Sequence, residues 1–549
     1  MARFLIISAL LFLFSFSTMA QTVYEPVNSE IYPFLERLFI NGAIEYHSEI
    51  KPISRKEIAG YLLDAMVNKD KLTSLDIDEI NFYLKDYADE VSFIIDTLHF
   101  NLPRVEFFTT GQADRFRFFN YRDSTFTFNF DPILGFEGAS LWGSGYTHRW
   151  NGIEFYGYIP DGWGYSLDFR DNLETGNTID RERRNSPLPG INISKVDENS
   201  LQYSVANTQF NYNWSLGNLS VGKYYLNIGS GKAGQLILSD KAPSFPLIRL
   251  DIKPTDWFSF IYFHGWLKSN IPDSSTFRYT SVEGRESISD VPKFIASHMF
   301  SFYIADDISL SIGESVVYSG HVEAIYLLPV MFFRLADHYM SSSGSNTGDN
   351  AQLFADASYR IPSIKTKVYG TLFIDELSVE SIFDGNNLSS IGYTIGTEFT
   401  DLVIPNSSLI FEYSLLQPFV YTNSDDAQTY SSHTYQLGHW IGSNADMIYG
   451  SYTQNILRGI RLKLSAWYFR KGQTELPDQQ YQLPYPPTLY GERRNDFKLN
   501  LTCLWQPIHN VYVNGFYEYS HITDEEDGRT PEFKLGAHNN YGISASYGF

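Results

Sequence analysis

Asn540-Tyr541-Gly542-Ile543-Ser544-Ala545-Ser546-Tyr547-Gly548-Phe549 are the last ten residues of the chain, and their alternation decides the fold. Tyr541, Ile543, Ala545, Tyr547 and Phe549 take turns with Gly542, Ser544, Ser546 and Gly548. A strand sends successive side chains to opposite faces, so one face is apolar and the other small and polar. About ten residues is the length of one bilayer crossing by a barrel strand. Aromatic residues fall near both ends, where the membrane–water interfaces lie. The same pattern fits an antiparallel strand of a soluble sandwich, so the rest of the chain has to decide.

Working outward, the period of two recurs over about 450 residues, a span that allows roughly 16 to 20 strands. Ile153, Phe155 and Ile159 alternate with Glu154, Tyr156 and Tyr158. Tyr165, Leu167 and Phe169 oppose Ser166, Asp168 and Arg170. Val368, Leu372 and Ile374 oppose Lys367, Tyr369, Thr371 and Phe373. Ile460, Leu462, Leu464, Ala466 and Tyr468 oppose Arg461, Lys463 and Ser465. Phe497, Leu499, Leu501, Cys503 and Trp505 oppose Lys498, Asn500 and Thr502, and Val511, Val513, Tyr517 and Tyr519 oppose Asn514, Glu518 and Ser520. Repetition without domain linkers favours one mainly-β chain closed as a large antiparallel transmembrane barrel over residues 101–549. Residues 506–510 read as a short periplasmic turn. The Gly-, Ser-, Asn- and Pro-rich stretches 171–200, 269–291, 338–350, 422–433 and 471–494 read as extracellular loops, because hydrocarbon does not tolerate such backbone.

Ahead of the strands the period is 3.6. Ile31, Phe34, Leu35, Leu38 and Phe39 share a face behind Ser29, and Gly42 stops that helix. Ser54 with Glu57 is a capping box for Ile58, Tyr61, Leu62 and Ala65. Ser74 is expected to cap a third helix carrying Leu75, Ile80, Tyr83, Leu84 and Tyr87. Residues 21–100 therefore read as a small helical bundle on the periplasmic side, with Arg55, Lys56 and Glu57 as a solvated first turn. Before it, Arg3, the apolar run 4–14 and Thr18-Met19-Ala20 predict a secretory signal peptide over 1–20, cut before Gln21.

Composition agrees. The chain has 39 Tyr and 42 Phe, enough for two aromatic girdles. Mean hydropathy is −0.23, which a barrel allows because only alternate residues face lipid. The formal charge of −22 disfavours nucleic acid. The single cysteine, Cys503, excludes an intrachain disulfide and a Cys-based zinc site.

No zinc-protease, nucleophile-elbow or P-loop motif is present, so the expectation is a protein without enzymatic activity, cofactor or metal. His321 and Glu323 supply too few ligands for a metal. Asp337, Asp349 and Asp356 match no regular calcium loop. Aromatic loops are more suggestive, since a ring stacks on the C–H face of a sugar while Asp, Asn and Arg bond its hydroxyls. Trp163, Tyr481, Tyr485, Tyr490, Arg493 and Arg494 are the candidate polysaccharide-binding residues; the plainer reading of each is girdle or loop packing.

A barrel strand ending in Phe resembles the last strand of bacterial outer-membrane barrels, which implies that Phe549 is read by the barrel-assembly machinery. The order of parts, with Glu25-Pro26-Val27-Asn28, Leu35-Glu36-Arg37-Leu38, Ile53-Ser54-Arg55-Lys56-Glu57-Ile58 and Phe130-Asp131-Pro132-Ile133-Leu134-Gly135-Phe136-Glu137, resembles the Wzi-type capsule-assembly outer-membrane proteins in their Bacteroidetes form. The resemblance implies a barrel of about 18 strands whose periplasmic mouth the helices close. It implies a surface lectin that attaches or organises capsular or extracellular polysaccharide and is not the export channel. Outer-membrane lipids would be its other partner. Some gliding-motility surface proteins are similar. A channel for oligosaccharides or hydrophobic solutes, and a lipid hydrolase, are the competing functions.

Overall fold

The computed structural model describes residues 22–95, 104–110, 115–123, 126–281, 284–336, 348–376, 390–474, 479–480 and 482–548. The predicted signal segment, Asp337, Tyr481 and Phe549 lie outside the described residues.

Eighteen antiparallel strands close into one barrel. In chain order they are β1 (Thr127–Leu141), β2 (Ser144–Ile159), β3 (Trp163–Gly176), β4 (Ser200–Trp214), β5 (Gly217–Tyr224), β6 (Phe245–Thr255), β7 (Phe258–Tyr279), β8 (Glu286–Ile304), β9 (Ile308–Ser319), β10 (Asn350–Ile361), β11 (Thr366–Glu376), β12 (Ser390–Thr400), β13 (Ser407–Leu416), β14 (Ala445–Leu457), β15 (Ile460–Lys471), β16 (Arg494–Trp505), β17 (Val511–Asp524) and β18 (Gly536–Tyr547). The seam joins β18 to β1 from Tyr541↔Ser140 to Tyr547↔Leu134. Below it, β1 pairs with a small hairpin of Arg104–Thr109 and Arg117–Arg122.

The alternating apolar residues point outward and stay exposed: Phe169, Leu372, Leu464, Tyr468, Phe497, Leu499, Leu501, Tyr517, Tyr541 and Ile543. No second sheet covers them among the described residues. An apolar face of this kind on a closed ring is the lipid belt of a membrane barrel, which excludes the sandwich. Among the described residues no helix is long and apolar enough to cross a membrane.

Connections alternate in length. Those at one end are short: 160–162, 215–216, 256–257, 305–307, 362–365, 401–406, 458–459 and 506–510. At Gly459, φ is +71 and an added Cβ would lie 2.3 Å from the Gln506 carbonyl oxygen, so only glycine makes that turn. Most of the other end carries long loops. The predicted loop 269–291 is corrected there: β7 and β8 run on past their neighbours as a two-stranded ribbon, paired from Pro272↔Asp290 to Tyr279↔Glu286. Period-two polarity extends into it, but its Ser, Asp and Pro content masked the strands. Likewise β3 continues to Gly176, into the predicted loop 171–200.

The helical segment packs at the short-turn end. It holds α1 (Ile31–Ile40), α2 (Arg55–Val67), α3 (Ser74–Asp86) and α4 (Ala88–Ile95), one helix more than expected. The Ser54–Glu57 capping box is present. For α3 the cap is Thr73, whose hydroxyl accepts from the Asp76 N–H, rather than Ser74, so the first turn starts one residue earlier. Ile31, Leu35, Leu38, Ile58, Leu62 and Ile80 form the bundle's core. Arg37 ties it to the wall through Asp401 at 2.8 Å, and Phe82 stacks on His509 with ring centroids 3.8 Å apart. The solvated reading of Arg55 is overturned: its guanidinium is buried and pairs with Glu25 at 2.7 Å and Glu90 at 2.8 Å. A charge at a helix start reads as solvated only until another element covers it.

From the long-loop end, residues 225–244 fold into the lumen. Asn227 and Ile228 pair there with Lys51 and Ile50 of the helical segment. Leu226, Leu236, Ile237 and Leu238 pack against inward Leu247, Phe263, Met299, Phe354 and Phe373 in one apolar core. Inside it, buried Glu36 of α1 pairs with Lys367 of the wall at 2.7 Å and with Lys232 of the inserted loop at 2.8 Å. One carboxylate thus joins helix, wall and loop.

Candidate functional site

The inserted loop fills one side of the lumen. On the other side, from β15 round through the seam to β4, the inward residues are polar and aromatic, and several of them, Trp467, Lys498, Glu518 and His148 among them, are only half-buried. Because Tyr468, Phe497, Tyr517 and Tyr541 face outward, the strand period turns Trp467, Lys498, Glu518 and Asn540 inward on four successive strands. These four and the β1–β2 turn form a recess near the long-loop end.

Lys498 is its centre. The ammonium lies 5.6 Å from the Trp142 ring centroid and 5.7 Å from that of Trp467, within cation–π range. It is 3.7 Å from Glu518. Glu518 accepts from Asn540 at 3.1 Å, and Asn540 in turn accepts from the Trp142 backbone N–H at 2.7 Å. That bond fixes the turn carrying the indole, which meets His538 edge-on at 5.3 Å. Above, Lys534 pairs with Asp180 and lies 5.9 Å from the same indole.

Next round the wall, Trp150 sits 4.7 Å from His148. A Cβ at Gly135 would fall 1.9 Å from the Trp150 ring, so the indole lies on the bare glycine backbone. His148 meets Asn172 at 3.1 Å. Beyond them Glu174 holds Arg183 at 2.5 Å and the Tyr203 hydroxyl at 2.9 Å. Lys241 donates to the carbonyls of Arg183, Ser186 and Leu188 at 2.6, 2.8 and 2.8 Å. This group is buried and pins the loop after β3 to the inserted loop.

The predicted residues scatter. Tyr485, Tyr490, Arg493 and Arg494 lie together at the long-loop end, in the connection from β15 to β16. Tyr485 is half-buried, donating to the Pro418 carbonyl at 2.9 Å, with its ring tilted against that of Phe419 at 5.6 Å. Tyr490 is half-buried and Arg493 exposed. Arg494 is committed to Asp496 in a buried two-pronged pair, at 2.7 and 2.6 Å. Trp163 begins β3 at the opposite, short-turn end, stacked 4.8 Å from Phe210 on the outer girdle. It is not brought to the others. Tyr481 lies outside the described residues. Among the described residues no group of acid, His or Cys side chains is arranged to hold a metal. His321 and Glu323 form an ion pair of 2.7 Å, Asp356 is bonded to Ser230 and Thr371 inside the lumen, and Asp349 accepts from Tyr326.

The floor carries the titrating groups. Burial, with the Asp356 carboxylate nearby, pushes the Glu49 carboxyl up to about 7. Burial and the cations Lys253, Lys367 and Arg360 hold His47 down at about 3, so it is neutral. Burial acts against the Glu36 carboxylate, but Lys232 and Lys367 outweigh it and keep the group below the usual carboxylate range. The floor is thus closed by fixed pairs, while the recess presents indole faces beside a carboxylate, amides and ammonium groups. Flat apolar faces beside fixed hydrogen-bonding groups are the chemistry that suits hydroxylated rings.

The chain superposes over most of its length on the Escherichia coli protein described as Wzi, an outer membrane protein involved in group 1 capsule assembly and a carbohydrate-binding β-barrel. The TM-score is 0.56 at 13% identity, over 96% of this chain and 100% of that one. Pseudomonas aeruginosa OprD aligns with 76% of this chain and 94% of its own, at 12% identity and a TM-score of 0.41. Acinetobacter baumannii OccAB2 aligns over 77% and 97%, at 10% identity and 0.42. No curated protein matches by sequence. The family profile described as Capsule assembly protein Wzi matches residues 167–534, two thirds of the chain. With that match over a barrel of this architecture, the chain belongs to the Wzi capsule assembly protein family.

Proposed function

We propose that this chain is a non-enzymatic outer-membrane protein that binds surface polysaccharide and helps attach or assemble a capsule. The recess around Lys498 carries the reading. It places Trp142 and Trp467 beside Glu518 and Asn540, the pairing of flat apolar faces and fixed hydrogen-bonding groups that sugars need. The Escherichia coli family member binds carbohydrate, which supports the same ligand class here. In this reading the long loops face outside and the helices the periplasm, as barrels with unequal connections are oriented. Tyr485, Tyr490 and Arg493 then form an outer rim. Phe549 would be the residue offered to the barrel-assembly machinery, and lipid would cover the belt.

The test is binding of purified native capsular polysaccharide to the detergent-solubilised protein, compared with Trp142→Ala and Trp467→Ala. Retained folding with binding weakened in both variants supports the reading. Undiminished binding in both, or no binding by the parent protein, ends it. A second reading, passage of oligosaccharides, draws on the half-buried polar wall between β15 and β4. Planar-bilayer recording separates the two, since a passage conducts and a floored recess does not.

A further inference from the structure

The longest apolar run that the sequence offers after residue 20, around Tyr326 to Phe333, finds no role in the recess. It lies outside the barrel. After β9 the chain turns back down the outer wall, so residues 324–336 cover the outward faces of β6 to β10. Tyr326, Phe333 and Ala336 are buried against outward Phe260, Tyr262, Phe294, Val316 and Tyr318.

What lies beneath is foreign to a lipid belt. His264, His298 and Glu314 all face outward, by parity with exposed Trp266, Leu310 and Ile312. They sit six residues from the short-turn ends of their strands, Phe258, Ile304 and Ile308. At about 3.3 Å per residue and a tilt of about 40°, that is roughly 15 Å up a belt about 25 Å tall. Elsewhere round the ring, Tyr468, Phe497 and Ile448 lie eight or nine residues from the short-turn ends of their strands and are exposed and apolar. A carboxylate at mid-belt is unstable against lipid. Here Glu314 is 2% exposed. It pairs with His298 at 3.3 Å and accepts the N–H groups of Phe333 and Arg334 at 2.7 and 3.4 Å. His264 meets the Tyr318 hydroxyl at 2.7 Å, and the Tyr262 hydroxyl donates to the Tyr326 carbonyl at 2.8 Å. The wall therefore supplies the hydrogen bonds that irregular backbone needs at membrane depth.

The outer side of the segment is apolar: Leu328, Val330, Phe332 and Leu335 are 54, 73, 61 and 61% exposed. Its one charged side chain, Arg334, is half-buried.

We propose that residues 324–336 are a membrane-inserted strap, seated on Glu314, His298 and His264, whose outer side chains contact lipid acyl chains and complete the belt across β7 to β9. Continuity with the exposed apolar ring on the other strands selects lipid as the occupant rather than a second copy of the chain.

Spin labels at Leu328→Cys and Phe332→Cys, on a Cys503→Ala background, test this in full-length protein in phospholipid bilayers. Ile448→Cys is the belt reference and Arg493→Cys the aqueous one. Collisions with dissolved oxygen should exceed those with a water-soluble nickel chelate at both strap sites, as at Ile448→Cys and opposite to Arg493→Cys. Nickel exceeding oxygen at the strap sites overturns the proposal. So does dipolar broadening between labels, which would put a second copy on the strap. Glu314→Gln, refolded and heat-modifiable like the parent, should shift both strap labels toward nickel; unchanged ratios would show that the seat is not Glu314.

Discussion

From β6 to β14 the inward faces carry Leu247, Ile261, Phe263, Met299, Val317, Phe354 and Met447, together with buried Asp356, Lys367 and Glu412, and the inserted loop packs on them. From β15 round to β4 the same inward positions are Trp467, Lys498, Glu518, Asn540, His148 and Asn172, and most stay half-buried. Both halves obey one strand period, so the backbone does not set the difference. The contrast is in how the inner wall is covered: protein packs closely on one side and leaves much of the other half-exposed. Apolar residues gain on the order of 25 cal/mol per Å² only where something excludes water from them. Inward burial, more than inward polarity, therefore reports the occupant of that side.

Removing the floor should give the largest effect. With residues 22–95 deleted, planar bilayers should show clear conductance steps through the polar half alone. A bulky thiol reagent on Lys498→Cys in a Cys503→Ala background should block them, and one on Phe354→Cys should not. Equal block at both would erase the distinction between the halves. Next, Glu36→Ala leaves Lys232 and Lys367 buried without their shared partner. Losing one member of a buried pair costs about 3–5 kcal/mol, to be read as a lower midpoint in urea unfolding from vesicles.

Glu49 sharpens the comparison through pH. Its folded carboxyl titrates near 7 against an ordinary 4.5, so the native state holds a proton that the unfolded chain releases. The stability it contributes is complete below about 4.5 and is lost as pH rises through 7, a change of roughly 3 kcal/mol. Glu49→Gln should flatten that part of the stability–pH curve. On the polar side, Trp142→Ala should weaken polysaccharide binding about tenfold, the loss of one stacking contact of roughly 1 kcal/mol or more, with no change in unfolding midpoint. Smallest of all, Tyr485→Phe should stay within about twofold in binding, since its hydroxyl is spent on a backbone carbonyl worth about 1 kcal/mol to the fold.

Much of the wall was legible because period two is a local signal. The faces assigned at 460–468 and 497–505 are the ones exposed to lipid, and the capping box at Ser54 is where the sequence puts it. The strand count near 18, the helical segment and the family resemblance agree with the structure. What lies inside was not legible. The insertion of 225–244 has no periodic mark, only Gly229, Gly231 and Gly234, which by themselves read as any loop. Arg55 read as solvated because Glu25 and Glu90, which neutralise it, are 30 and 35 residues away. The recess joins Trp142, Trp467, Lys498, Glu518 and Asn540, and ring closure alone makes residues 398 positions apart neighbours. Aromatic residues in loop-like stretches point to Trp163, a girdle residue at the far end, and not to the indoles of Trp142 and Trp467 on the inner wall.

The ribbon formed by the upper parts of β7 and β8 has a practical consequence. Beyond Lys268 and Pro292 neither strand pairs with a further strand among the described residues, and the pairing skips between Lys268 and Pro272 and again between Asp273 and Arg278. Eleven further residues to Tyr279, at about 3.3 Å each, make a mast of roughly 35 Å with open edges along both sides. Such a stretch opens locally at little cost while the ring beneath stays shut. A dilute protease added to intact cells would clip there first, giving a direct reading of which end of the molecule looks out of the cell.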